Sequence, residues 1–142
     1  MEVSSNGTLD ALKARFKPFP VEVVIESGGS ITLWSLPMRY DFWAEKQTRE
    51  EITERLKKAG LDGDVLADAM NYELIVNFCK EHLVKPPNDE KAGFEAGEHP
   101  EPLFGNVREV SATLSYSAIL GAHRRIQQKG FSVVGDAALK NS

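Results

Sequence analysis

Cysteine and histidine are the residues of this chain best suited to metal chemistry, and two of them lie close together. Cys79 and His82 have a Cys-x-x-His spacing, and His99 follows later in the chain. A structural zinc site needs four ligands, but the sequence contains no second close pair of this kind. We therefore interpret Cys79 as a buried helix residue and His82 as a surface residue beside it, and we predict no metal site.

Other motifs that could support chemistry are also incomplete. Asp62-Gly63-Asp64 resembles the start of a calcium loop, but the sixth position, which requires glycine, is Ala67. Gly28-Gly29 lies between two apolar stretches, and no phosphate-binding motif follows it. His123 falls on an apolar helix side without a nucleophile signature, which favours a packed histidine over a general base. We therefore predict a protein that is not an enzyme, with no catalytic residue and no cofactor.

Charge and hydropathy restrict the partners and the compartment. The formal net charge is -4 at pH 7, whereas nucleic-acid-binding proteins usually carry a basic excess, so we predict no nucleic-acid partner. The small basic cluster His123-Arg124-Arg125 with Lys129 is interpreted as a solvated helix end, with binding of an acidic partner, or of the acidic linker of the same chain, as the alternative. No apolar stretch is long enough for a membrane span, and the single cysteine suits a reducing compartment. We expect a cytoplasmic protein, located in the cytoplasm of whichever cell makes it.

The clearest local signal is a β-hairpin near the N-terminus. Residues 21–26 and 31–36 are rich in β-branched and apolar side chains, and Ser27-Gly28-Gly29-Ser30 separates them. Paired glycines supply the positive φ angles that tight hairpin turns require. An isolated hairpin is marginally stable in water, so helices or another chain must cover its apolar face.

The remaining elements are predicted to be helices. The first runs from Pro37 to Gly60, with a break at the capping box that begins at Thr48. The second, residues 62–83, has an apolar stripe wide enough to be buried on more than one side. The last segment, residues 103–129, is predicted as two helices that meet near Ser111 and end at Gly130.

These elements predict an α+β, mainly helical fold, in which a two-stranded antiparallel hairpin packs on three to four helices. Residues 1–19 form an N-terminal arm with a short helix at Thr8–Phe16, in which Leu9, Leu12 and Phe16 share one side. Residues 20–130 form the single domain. Within it, the proline-rich and acidic segment 85–102 is predicted to be a solvated linker. Residues 131–142 are a short tail.

Aromatic residues concentrate where the hairpin leads into the first long helix. They are Trp34, Tyr40, Phe42 and Trp43. Part of this aromatic area is expected to belong to the core. The rest is expected to form an exposed anchor for a protein partner, because aromatic side chains dominate interface hot spots.

The stretch Val21–Phe42, with two strands joined by Gly-Gly and leading through Leu36-Pro37-Met38 into an aromatic and charged helix, resembles the tail assembly chaperones of long-tailed bacteriophages. The later segment Leu114–Leu120 is similar in placement to the closing helix of that family. The resemblance implies a non-enzymatic protein that binds the tape-measure protein during tail assembly. It also implies the tail-tube protein as a further partner, and it is compatible with self-association.

Two other functions remain open at this stage. One is a structural subunit of a virion or another large assembly, in which the hairpin adds a strand to a neighbouring sheet. The other is a small module: either a protein–protein interaction module, or a small enzyme or regulatory ligand-binding domain, which would need a concave pocket with converging polar groups.

Overall fold

The computed structural model describes residues 17–38, 42–95, 97–98 and 100–141, without the side chains of Phe42 and of residues 130–141. The predicted helix at Thr8–Phe16 and the candidate anchor Tyr40 lie outside the described residues. The elements in chain order are β1 (Phe19–Val24), β2 (Ser30–Ser35), α1 (Phe42–Lys58), α2 (Gly63–His82), β3 (Leu83–Val84), α3 (Val107–Thr113) and α4 (Tyr116–Asn141). The predicted α+β, mainly helical class is confirmed.

Strands β1 and β2 form the predicted antiparallel hairpin, with Val21 opposite Leu33. The turn is closed by the amide of Ile25, which donates to the carbonyl of Gly29 at 2.9 Å, and Gly28 adopts a φ of 90°. A residue with a Cβ atom rarely adopts this φ, which explains the glycine. The hairpin begins at Phe19, two positions before the predicted start. Pro20 is tolerated there because β1 lies at the edge of the sheet.

A third strand, which the sequence did not predict, completes the sheet. β3 pairs antiparallel with β2, placing Val84 opposite Trp34, and its other side bridges to Pro102. With only two residues directly after a long helix, β3 has no periodicity that could have revealed it.

Helix α1 is continuous, so the predicted break at Thr48 is wrong. Pairs at four-residue spacing support its middle and end, including Arg49 with Glu45 at 2.9 Å and Lys58 with Glu54 at 3.2 Å. The predicted stop at Gly60 is confirmed. Gly60 has a φ of 92°, and the next amide, of Leu61, donates to the carbonyl of Leu56 in a Schellman motif.

The C-terminal part forms two helices, as predicted, but they meet three residues later than expected, at Leu114 and Ser115. The hydroxyl of Ser115 accepts a hydrogen bond from the amide of Ala118 and so caps the start of α4. The predicted stop at Gly130 is wrong, because α4 continues to Asn141. One glycine within a helix costs only about 1 kcal/mol, and no proline follows to end the helix.

The main core lies between the hairpin, α2, α3 and α4. Its fully buried side chains come from every one of these elements: Val23, Cys79, Val110, Ile119, Ala122 and Ile126, joined by Leu83 of β3. Helix α4 lies close to β1, because a Cβ atom added at Gly121 would be 3.4 Å from Cγ1 of Val23. The hairpin is therefore covered on one face by α4.

A second, smaller cluster lies under the loop between β3 and α3. Trp34, Val84 and Phe94 are buried together there. The loop is held at its ends by the amide of Lys85, which donates to the carbonyl of Glu101 at 2.9 Å. The segment 85–102, predicted as a solvated linker, therefore packs on the sheet through Phe94, while its charged side chains remain exposed.

Candidate functional site: an apolar groove between three helices

A groove of about 550 Å³ lies between α1, α2 and α4, next to the end of β2. Its apolar lining comes mainly from β2's exit and from the second half of α2: Leu36, Pro37, Met38, Ala44, Leu74, Ile75 and Phe78. Its polar lining consists of Glu45, Thr48, Asn77, Glu81, His82, His123 and Gln127. The groove is therefore an apolar surface with polar groups distributed among its walls.

The antiparallel packing of α1 and α2 explains where the groove forms. Thr53 donates to the sulfur of Met70 at 3.1 Å, and the guanidinium of Arg55 pairs with Glu73. These contacts bring the C-terminal half of α1 against the middle of α2. The N-terminal turns of α1, which include Ala44, consequently lie opposite the last turns of α2.

The apolar stripe of α2 is wider than the core requires. Its innermost residues, Val76 and Cys79, are buried, whereas Leu74, Ile75 and Phe78 are half-buried and line the groove. The other end of the helix differs from the prediction, because Val65 is 61% exposed. The unusual width of the stripe therefore creates a groove surface, rather than burying the helix on several sides along its whole length.

Phe78 forms the aromatic floor of the groove together with two histidines. Its ring stacks on His82, with 3.9 Å between ring centroids, and meets His123 edge-on at 4.7 Å. Nδ1 of His82 lies 2.9 Å from the carbonyl oxygen of Phe78. A carbonyl can only accept, so Nδ1 of His82 carries a hydrogen. His82 is 7% exposed, which corrects its prediction as a surface residue.

Burial lowers the pKa of His123 below its ordinary value, and the nearby positive charge of protonated His82 lowers it further. His123 is therefore a neutral imidazole near pH 7. The sequence predicted His123 to be a packed histidine on an apolar helix side. It is half-buried on α4 and also lines the groove. A neutral histidine against an aromatic ring adds to a surface suited to apolar ligands.

The thiol of Cys79 is separated from this groove by its position in the core. Its Sγ atom donates to the carbonyl of Ile119 at 3.6 Å, and burial raises its pKa to about 12. The thiol is therefore protonated at neutral pH and unsuited to nucleophilic attack. Among the described residues, no group of three or more histidine, cysteine, aspartate or glutamate side chains could hold a metal ion. His99 lies outside that description.

The candidate aromatic anchors do not form one patch. Trp34 is 5% exposed and packs against Phe94, so its prediction as part of a surface anchor is wrong. Trp43 is 74% exposed, with the ammonium group of Lys46 at 6.0 Å from its ring. It directly precedes Ala44, which lines the groove. The side chains of Tyr40 and Phe42 lie outside the described residues.

A second, more polar cleft of about 620 Å³ lies between β1 and α4. Glu22 and Glu26 line it from the hairpin, and Arg124 and Arg125 line it from the helix. Opposite charges within one cleft offset each other, so it has no net attraction for an anion or a cation. Arg124 and Arg125 of the predicted basic cluster are exposed, as expected, but the cluster lies in the middle of α4 and not at a helix end, because α4 continues to Asn141.

Fold and groove together define a mainly helical α+β protein whose concave apolar surface is built from three helices and the end of one strand. No protein-family model, curated protein or solved structure matches the chain. Within the described part of the chain, none of the helices combines the length and hydropathy needed to cross a membrane.

Proposed function

We propose that this chain is a non-enzymatic assembly chaperone of a long-tailed bacteriophage that binds helical segments of the tape-measure protein. The observation that carries the proposal is the apolar groove between α1, α2 and α4. A tape-measure protein is a long helix with an apolar surface that must be covered before the tail tube assembles around it. The tail-tube protein is then the further partner that receives the tape-measure protein.

The lining of the groove suits an amphipathic helix. Apolar side chains repeated at three- and four-residue spacing on a partner helix would contact Leu74 and Phe78, which have this same spacing on α2. Met38 has a flexible, polarizable side chain, which adapts to different apolar partners. A chaperone that binds many segments of one long helix needs this tolerance.

Trp43 provides a second contact region beside the groove. It is the most exposed of the large hydrophobic side chains on the described surface, and it lies in the first turn of α1, which forms one wall of the groove. Large exposed aromatic residues often contribute most of the binding energy at an interface. We expect Trp43 to cover part of the partner helix that extends beyond the groove.

Co-expression with the tape-measure protein of the same phage, followed by size-exclusion chromatography and calorimetry, tests the proposal. Leu74→Asp places a charge in the groove, and we expect affinity to fall at least tenfold. Val65→Asp introduces the same charge on the exposed part of the same helix and serves as the control. Trp43→Ala should give an intermediate loss. Binding that is equal in all four proteins, or no binding by the wild type, contradicts the proposal.

The alternative function as a structural subunit has one observation in its favour. β1 forms an edge of the sheet, and Val24 at its end is 62% exposed. An exposed edge strand can pair with a strand of a neighbouring subunit. Quantitative mass spectrometry of purified particles separates the two functions, because a subunit is present in fixed stoichiometry and an assembly chaperone leaves before maturation.

A further inference from the structure

The two edges of the sheet differ, because the edge at β3 is covered and the edge at β1 is open. At β3, Val84 bridges to Pro102, and the amide of Leu103 donates to the carbonyl of Leu83 at 3.0 Å. Among the described residues, no strand pairs with β1 on the side away from β2. Within that part of the chain, the free position for a further strand is therefore beside β1.

The backbone groups of Glu22 and Val24 face this open side. In an antiparallel pair, residues that hydrogen-bond to the partner strand alternate with residues whose N–H and C=O groups point the other way. The amide of Ile25 donates to the carbonyl of Gly29 at 2.9 Å, so the odd-numbered residues of β1 pair with β2 and the even-numbered ones face outward. Pro20 is even-numbered, and its missing N–H therefore leaves the ladder between β1 and β2 intact. An extended segment beside β1 would meet the N–H and C=O groups of both Glu22 and Val24.

Helix α4 forms a wall along the open edge. It contributes Ser117, Gly121, Arg124 and Gln128 to the cleft of about 620 Å³, and this stripe has the three- and four-residue spacing of one helix side. Ser117 and Gly121 are small, so the cleft stays open next to Val23. Domains that bind peptides by strand addition take main-chain hydrogen bonds from an edge strand and specificity from side-chain pockets beside it. β1 and α4 supply these two elements.

The charges of the cleft are divided between its two walls. Glu22 and Glu26 are exposed, and Glu22 lies on the opposite face of the strand from the buried Val23, because strand side chains alternate between faces. Arg124 and Arg125 line the cleft from α4. In the described part of the chain the ion pairs are formed by other side chains, so both guanidinium groups can pair with a ligand. A free ion meets both signs of charge here, whereas an added strand has two faces and can match each wall separately.

From the open edge, the wall of α4 and the division of charge, we propose that this cleft binds an extended peptide segment as an additional strand beside β1. Acidic side chains of the peptide face Arg124 and Arg125. Basic side chains lie on the outer face next to Glu22 and Glu26, with an apolar residue next to Val24, which is 62% exposed. The site goes beyond the proposed function, because the cleft and the groove share no described lining residue.

Fluorescence anisotropy with two labelled peptides of identical composition tests this site on the wild-type chain. Glu-Lys-Glu-Val-Glu-Lys-Glu places acids on one face of a strand and Lys, Val and Lys on the other. Glu-Glu-Lys-Val-Lys-Glu-Glu moves the lysines to the face that meets α4. Each sequence reads the same in both directions, so the test does not depend on the direction of the added strand. We expect the first peptide to bind about tenfold more tightly, because like charges then meet on both walls only in the second. Equal binding of the two peptides, or binding of neither, overturns the proposal.

Variants of the chain test the contribution of each wall. Val24→Pro removes an outward N–H without removing a hydrogen bond to β2, and it should weaken binding of the first peptide about tenfold. Val24→Thr keeps the N–H and a β-branched side chain, so it should bind like the wild type. Arg124→Gln removes a charge from the helix wall and should weaken binding about fivefold. Its control is Arg108→Gln, an exposed position on α3 outside the cleft, which should have no effect.

Thermal unfolding establishes that each variant is folded before titration, and Arg124→Gln tests the site even if Val24→Pro does not fold. Wild-type affinity in both of these variants overturns the proposal. Leu74→Asp, in the groove, should bind the peptide like the wild type, so a failure of the proposed function is distinguishable from a failure of this site. Light scattering tests the other possible occupant. A dimer that forms with increasing concentration and is lost in Val24→Pro would show that a second copy pairs with β1, which also overturns the proposal.

Discussion

The indole ring of Trp34 and the phenyl ring of Phe94 meet edge to face, with 5.4 Å between their centroids and 77° between their planes. Both are buried, although Phe94 belongs to a loop in which most side chains are exposed. This contact joins the loop to β2 and defines the smaller of the two clusters. It also explains why an aromatic residue near the end of the hairpin is unavailable as a surface anchor.

Replacement of Phe94 by alanine is expected to lower the free energy of unfolding by about 3 kcal/mol, the lower part of the range for a buried phenylalanine. The lower part applies because the cluster lies at the periphery and can partly collapse. Urea unfolding measures the loss. In a Trp43→Phe background, where Trp34 is the remaining tryptophan, its emission should also shift to longer wavelength. Glu95→Ala, at an exposed neighbour, should change stability by less than about 0.5 kcal/mol.

Trp34→Phe is expected to be much less destabilising than Trp34→Ala. Nε1 of Trp34 is buried without a hydrogen-bond partner, and such an unpaired donor costs about 1–3 kcal/mol. Phenylalanine removes this donor while keeping most of the contact with Phe94, so we expect a change within about 1 kcal/mol. Alanine should cost about 3–5 kcal/mol. Similar losses for the two variants in urea unfolding would indicate that the indole N–H is in fact hydrogen-bonded.

Gly121→Leu tests the close approach of α4 to β1. The Cβ position at Gly121 is already 3.4 Å from Cγ1 of Val23, so a larger side chain must push the helix away from the hairpin. Overpacking of this kind costs about 1–3 kcal/mol. Ser117→Leu, one turn earlier on α4 and exposed, is the control and should be nearly neutral. Equal stability of both variants would show that the helix moves without loss of contacts.

The hairpin and the helix ends show how far local sequence determines this fold. Gly28 and Gly60 require positive φ angles, and this requirement correctly predicts a turn and a helix end. Gly130 has the same residue type but is followed by further helical residues, so local context alone predicts a stop that does not occur. β3 forms by pairing with β2, and Phe94 is buried by packing against Trp34 of β2. Such contacts between distant parts of the chain leave no periodic signal in the segments themselves.

The candidate site was less predictable than the fold. The sequence indicated a cluster of aromatic residues, but it could not distinguish the exposed Trp43 from the buried Trp34, because burial depends on the loop that carries Phe94. The groove depends on three helices meeting. The broad apolar stripe of α2 is the sequence signal that could have indicated the groove. Leu74 and Phe78 widen this stripe beyond the face that carries the buried Val76 and Cys79.

The thiol of Cys79 is expected to react with a disulfide reagent only after unfolding. Cys79 is fully buried, and burial raises its pKa to about 12. At pH 8 the thiolate fraction is then on the order of 10⁻⁴, and the reagent has no access. The native protein should therefore react at least 100-fold more slowly than the same chain in urea, as measured by release of the coloured thiolate. Rapid reaction of the native protein would indicate that the core opens readily between α2 and α4.

Protonation of His123 is expected to make the folded protein less stable in mild acid. Burial, and then the charge of His82, lower the pKa of His123 below its ordinary value of 6.5. The unfolded chain therefore binds this proton more readily than the folded chain. The stabilisation is fully present above pH 6.5, and it is lost as the pH falls through 6.5 towards the lower pKa of the folded state. The other titratable groups that line the groove are Glu45, Glu81 and His82.

Urea unfolding between pH 8 and pH 5 measures this dependence. His123→Gln keeps a polar side chain of similar size without a titrating group, and it should flatten the decrease in stability below pH 6.5. Gln127→Ala, which removes a polar side chain one turn later in the same groove, should keep the wild-type slope. If His123→Gln retains the full slope, then His123 does not carry the pH dependence, and protonation elsewhere must account for it. A flattened slope would instead place the unfavourable proton on His123, at the floor of the groove.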